Sequence, residues 1–165
     1  STSAVAFCAR HRRAPGATFV HGDAQAMPFP DESFDVVVNV ESSHCYGSMD
    51  DFLAEARRVL RPGGALCWAD IRRARAVGRL RAQFRASGLV VADEEDVTAG
   101  VLRALTLDNE RRLRLIESWI PRPLRPVMRP FAGVEGTTNF VGLQRGDQRY
   151  LSARLHKPRS AAAAA

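Results

Sequence analysis

Two habits of apolar placement alternate along this chain. Between Met49 and Leu60 the residues Phe52, Leu53, Ala56, Val59 and Leu60 recur every three or four positions, which predicts a helix with one buried face. Residues 75–87 repeat the habit, with Val77, Leu80 and Phe84 inward and arginines outward. Residues 3–11 read as the tail of another amphipathic helix, with Val5, Cys8 and Ala9 on one side and a break at Pro15 and Gly16. Residues 96–106 and 108–120 predict two more helices, the second capped by Asp108.

The other habit is crowding. "ATFVHG" at 17–22 is a short aromatic and β-branched run that predicts a strand, and it includes His21 as a structural residue. "FDVVVNV" at 34–40, with three consecutive valines, predicts a strand buried on both faces. "ALCWAD" at 65–70 and "LVVADEED" at 89–96 predict two more. In "RYLSARLHK", Leu151, Ala153 and Leu155 alternate with Tyr150, Ser152 and Arg154, the period of a final strand. Proline and glycine punctuate the rest. Pro28 and Pro30 keep 27–33 from being helical, "RPGG" at 61–64 stops the helix before it, and 121–136 reads as proline-broken and irregular.

Strands alternating with helices imply an α/β fold with a mainly parallel sheet. In such sheets ligands bind beyond the carboxyl ends of the strands. Asp23, Asn39, Glu41, His44 and Asp70 all fall at or just after predicted strand ends, so they should converge on one crevice.

Composition narrows the class only a little. At 165 residues the chain has room for one domain, and 45% hydrophobic residues supply a core. The net charge of +6 is almost all arginine, lysine occurring once, at Lys157. These arginines are spread along helices with few aromatics between them, so nucleic acid is not favoured as a partner. Cys8, Cys45 and Cys67 form neither a CxxC pair nor a Cys/His cluster, so no metal site is expected and a reduced, cytoplasmic setting is the default. There is no apolar run long enough to span a bilayer. "RGD" at 145–147 reads as a turn before the last strand.

"GDAQAMPFPDESFDVVV" followed by "FLAEARRVLRPGG" resembles the second half of a class I S-adenosylmethionine-dependent methyltransferase. The ordered set is specific through Asp70 and looser beyond Gly88, where the look is that of small-molecule and natural-product O-methyltransferases. "ESSHCY" at 41–46 is similar to segments in relatives that methylate sugars, polyketides and glycolipids. The resemblance implies a Rossmann-like methyltransferase sheet with an antiparallel last strand, S-adenosylmethionine as cofactor, and a hydroxyl-bearing small molecule as acceptor. It implies that Asp23 receives the adenine amino group, that the Ala24 N–H meets the ring, and that Asn39 and Val40 meet the methionine moiety. For Asp23 a turn cap is the plain alternative, and for Asn39 and Val40 simple strand termination.

The same resemblance assigns the chemistry to His44 and Asp70. An acceptor hydroxyl must lose its proton as it attacks the sulfonium methyl, and an imidazole whose ordinary pKa is about 6.5 suits the base role. A carboxylate can hold its tautomer or stabilise the imidazolium. The alternatives are a loop histidine bonded to backbone and an aspartate that caps the next loop. Trp119, Met128 and Phe131 are candidates for an apolar acceptor wall, with core packing as the rival.

The family's glycine-rich loop after its first strand has no counterpart here, nor does the acidic residue ending the second. The expectation is therefore an incomplete domain over 1–158 that lacks the first two strands, an acceptor-side insertion over about 96–145, and a disordered tail at 159–165. With strands spaced by about 4.8 Å, removing both would leave a gap of about 14 Å. Either the 17–20 strand closes onto 36–40, or a partner fills the gap, whether a second copy or a missing N-terminal half, or an apolar edge is exposed. Weak binding of S-adenosylmethionine by the chain alone, or none, follows. Two rival functions stay open: a non-catalytic methyltransferase-like module that pairs with a partner, and an RNA methyltransferase using the arginines.

Overall fold

The computed structural model describes residues 1–11 and 16–159. The expected break at Pro15 and all but the first residue of the expected 159–165 tail lie outside the described residues. In chain order the elements are α1 (Thr2–His11), β1 (Phe34–Val40), α2 (Met49–Val59), β2 (Leu60–Arg73), α3 (Val77–Ala86), β3 (Val90–Asp96), α4 (Thr98–Leu107), α5 (Asn109–Trp119), α6 (Arg125–Phe131), α7 (Thr138–Arg145) and β4 (Gln148–His156).

The four strands form one sheet in the order β1-β2-β4-β3. β1 runs parallel to β2, and β4 lies antiparallel between β2 and β3. Three strands therefore point one way and the last points back, as the resemblance implied. The alternation along β2 buries Leu66, Trp68 and Asp70 on one face. That face, with Leu151, Ala153 and Leu155 of β4, packs on Phe52, Leu53 and Ala56 of α2 and on Leu80 and Phe84 of α3. Trp68 meets Phe84 edge-on, with ring centroids 5.4 Å apart. Side chains of this size each contribute about 1.5–3 kcal/mol when fully buried.

Helix α2 starts where its chemistry dictates. Ser48 Oγ accepts the Asp51 N–H at 3.1 Å, Asp50 and Asp51 lie in the first turn, and Arg57 and Arg58 lie in the last. Arg58 then ties the proline loop to this helix. It donates to Glu55 and Asp31 and to the carbonyls of Met27 and Phe29, while Glu55 accepts the Met27 N–H at 2.7 Å.

Several expectations are corrected. Residues 17–20 form no strand; Phe19 and Val20 are exposed, and Asp23 makes only an isolated bridge with Ala26. With no strand alongside to accept its backbone groups, a β-prone sequence stays irregular. His21 is accordingly exposed coil. β1 is not buried on both faces: Val36, Val38 and Val40 alternate onto an exposed face, while Val37 and Asn39 turn toward the helices. The helix before "RPGG" does end there, at Val59, and the segment itself is an insertion within β2, between the pairs Phe34↔Leu60 and Val36↔Ala65. Gly63 has φ +82° and donates to the Lys157 carbonyl.

Asp108 precedes α5 but makes no side-chain cap; its carboxylate pairs with Arg111 and Arg112 instead. Residues 125–131 and 138–145, expected to be irregular or left unassigned, are helices α6 and α7. Pro126 sits in the first turn of α6, where a missing N–H costs nothing. Trp119 and Phe131 are 80% and 82% exposed, so neither joins the core. Among the described residues, no helix is long and apolar enough to cross a membrane.

Candidate active site

The site lies beyond the carboxyl end of β1, beside the last side chains of β2. β1 ends at Val40, and Glu41 turns the chain with φ +51°, its N–H held by the Ala69 carbonyl at 3.0 Å. The short 3₁₀ turn Ser43–Cys45 follows and folds over Asp70.

Asp70 is fully buried, and donors surround its carboxylate. Oδ2 accepts from Ser43 Oγ at 2.6 Å and from the His44 N–H at 2.9 Å. Oδ1 accepts from the Ile71 N–H at 2.8 Å and faces His44 Nδ1 at 2.6 Å. Arg72 Nη1 lies 3.1 Å from Oδ2. Burial opposes ionisation, but the bonds from Ser43 and His44 and the charge of Arg72 outweigh it and hold the carboxyl below its ordinary range. An ionised carboxylate only accepts, so Nδ1 carries the proton of this bond.

Three further residues complete this network. Ser43 Oγ accepts from Trp68 Nε1 at 2.8 Å and from Arg72 Nη2 at 2.6 Å. The Arg72 guanidinium stands 5.0 Å over the Trp68 ring. Trp68, Asp70 and Arg72 alternate along β2, so one row of side chains carries the core indole, the carboxylate and the guanidinium. Ser43, Trp68 and Arg72 were not singled out from the sequence. The period-two alternation around Asp70 was the available signal for Trp68 and Arg72, whereas nothing in the sequence marked Ser43.

Opposite the network, the Tyr150 phenol is pushed well above its ordinary range by burial and by the carboxylates of Glu41 and Asp70. Glu41, His44 and Asp70 bring ligand atoms within 4.8 Å of one another. Because both Asp70 oxygens are already engaged by protein donors, this cluster reads as an ion-pair network rather than a metal centre.

Two hollows flank the site. One, of about 270 Å³, is lined by Asp23, Ala24, Met27, Phe29, Val38 and Asn39, among others. It brings three of the four expected cofactor residues together; Val40 is exposed on β1 and does not line it. Asp23 Oδ1 accepts the Gln25 N–H at 2.9 Å, a turn cap, and Oδ2 has no hydrogen-bond donor among the described residues. Asn39 donates to Tyr46 Oη at 2.7 Å, and its own Oδ1 is buried without a partner. The second hollow, of about 340 Å³, is lined by His44 with Ser43, Met49, Arg72, Ala76 and Gln148.

Residues 1–68 match the profile of a methyltransferase domain family. A phthiotriol/phenolphthiotriol dimycocerosates methyltransferase from Mycobacterium leprae is 40% identical over 146 residues, 88% of this chain and 54% of that protein. Over most of its length the chain is similar to methyltransferases. A fatty-acid O-methyltransferase from Mycolicibacterium smegmatis is 36% identical over 129 residues, 78% of this chain and 46% of that protein. The chain thus spans about half the length of the curated relatives it matches. The fold of this chain is also that of an O-methyltransferase from a trans-AT polyketide synthase multienzyme of Brevibacillus brevis, solved with S-adenosyl-L-homocysteine. The TM-score is 0.71 at 16% identity, over 96% of this chain and 56% of that one.

Proposed function

We propose that this protein takes part in methyl transfer from S-adenosylmethionine to a hydroxyl of a lipid-like small molecule, with His44 as general base and Asp70 as its orienting carboxylate. One observation carries the reading: a buried, ionised Asp70 bonded to Nδ1 of a partly exposed histidine that opens on a hollow. The names of the relatives, which act on phthiotriol lipids and fatty acids, support a lipid acceptor over a sugar or a polyketide.

The residues present fit the donor. The hollow under β1 offers apolar walls for a purine, a carboxylate oxygen of Asp23 without a donor for an exocyclic amine, and the unpartnered Asn39 Oδ1 for an ammonium group. Asp23, Ala24 and Asn39 are the residues that would hold it. Bound there, the donor supplies a methyl group on a sulfonium. The chain's own part is to take the acceptor proton at His44 Nε2. The resulting imidazolium is stabilised by Asp70 across 2.6 Å, and Ser43 and Arg72 keep that carboxylate ionised and still. Alignment of acceptor and donor supplies the rest. The three cysteines are free, in keeping with work in the cytoplasm.

The test is incubation with methyl-tritiated S-adenosylmethionine and a panel of long-chain alcohols and diols. Label is expected in the lipid extract, to be lost with His44→Ala and reduced with Asp23→Ala. Labelling that is indifferent to His44 would remove the base assignment.

A further inference from the structure

Many arginines of this surface are matched to acids: Arg58 to Glu55 and Asp31, Arg61 to Asp35, Arg81 to Glu94, Arg111 and Arg112 to Asp108. Arg73, Arg75 and Arg145 are not. Among the described residues none of the three makes an ion pair, yet all three line one cavity of about 780 Å³ between the end of β2 and α7. Asp147 is the one acid on its wall, so three guanidinium groups face one carboxylate.

This cavity adjoins the His44 hollow, for Arg73 and Gln148 line both. Gln148 Oε1 is buried with no hydrogen-bond partner. A Cβ on Gly142 would stand 2.6 Å from that oxygen, so the glycine is what leaves the amide its place at the junction. A concave wall with surplus positive charge concentrates an anionic ligand, and guanidinium forks bind oxyanions bidentately. No aromatic side chain lines the cavity, so it lacks the stacking platform that a single-stranded nucleic acid would use.

We infer that the Arg73–Arg75–Arg145 cavity seats an anionic headgroup, a phosphate or carboxylate, of the acceptor, whose hydroxyl reaches His44 through the adjoining hollow. This rests on the methyl-transfer reading for the identity of the ligand as an acceptor, but its binding test does not.

The test is an NMR titration of the protein with octyl phosphate, octanol and inorganic phosphate as probes. Octyl phosphate is expected to bind at least about ten-fold more tightly than octanol at low salt, with inorganic phosphate binding more weakly than octyl phosphate and at the same signals. In the Arg75→Gln/Arg145→Gln double variant the preference should fall to within about two-fold, and Arg75→Lys/Arg145→Lys should restore most of it. All three arginines are exposed, so unfolding midpoints should not move. Equal affinity for octyl phosphate and octanol, or a preference that survives the double glutamine variant, overturns the inference. Tighter binding of inorganic phosphate than of octyl phosphate overturns the headgroup assignment. Donor binding, read separately at Asp23 and Asn39, reports on the methyl-transfer reading, so the two failures are distinct.

Discussion

His44 Nδ1 lies 2.6 Å from Asp70 Oδ1, and the two side chains differ sharply in exposure, 37% against 0%. The buried partner fixes the ring, and the exposed partner offers its second nitrogen to whatever enters the hollow. Replacing His44 by alanine is therefore expected to lower turnover at saturating donor by about 10²–10⁴-fold. Donor affinity should change by less than about two-fold, since the donor hollow holds other residues. Steady-state kinetics and calorimetry on the same variant check both.

Asp70 also makes stability depend on pH. Its carboxyl is held below the ordinary value in the folded state, so as acid is added the unfolded chain binds the proton first. Its contribution should be complete above about pH 5 and should be lost as pH falls below about 4, toward the folded-state value. Asp70→Asn should flatten that part of the profile. At pH 7 it should cost about 3 kcal/mol, because Arg72 is left beside a neutral amide. Urea denaturation across pH measures both.

Gly64 is predicted to be intolerant even of alanine. A Cβ there would stand 2.9 Å from the carbonyl oxygens of both Arg61 and Asp35, and backbone cannot swing aside. A loss of about 1–3 kcal/mol is expected, read as a lower unfolding midpoint. Gly78, with nothing within 4 Å, serves as the control, and Gly78→Ala should be neutral or slightly stabilising in its helix.

β1 leaves three valines on an open face, with Val36 and Val38 at 53% and 67% exposure. Self-association through this edge is expected at high concentration. Val36→Lys with Val38→Lys should reduce the sedimentation-derived mass toward that of one chain without lowering the unfolding midpoint. A mass that does not respond would show that this edge is not the sticky one.

The readable parts of the chain were those where one periodicity served one buried face. The helix at Phe52–Val59 and the alternation at Leu151–Leu155 each pack against the same core, so pattern and structure agree. The 17–20 segment misled because β propensity is a statement about neighbours, and no strand stands beside it. α6 was hidden because its prolines look like breakers, although Pro126 occupies the position that tolerates one. His44 and Asp70 could be named because the resemblance points to them, one following β1 and the other near the carboxyl end of β2. Ser43 could not, because a serine in a turn is common and its bonds to Asp70, Trp68 and Arg72 come from β2, 25 to 29 residues away.

The row formed by Trp68, Asp70 and Arg72 on β2 has a consequence for quality control. A slip of one position against β4 would send Cys67, Ala69 and Ile71 inward and expel the indole together with the carboxylate. Misthreaded molecules would lose hydrophobic cohesion and chemical competence in one stroke, so a stable but inert register has little room to persist.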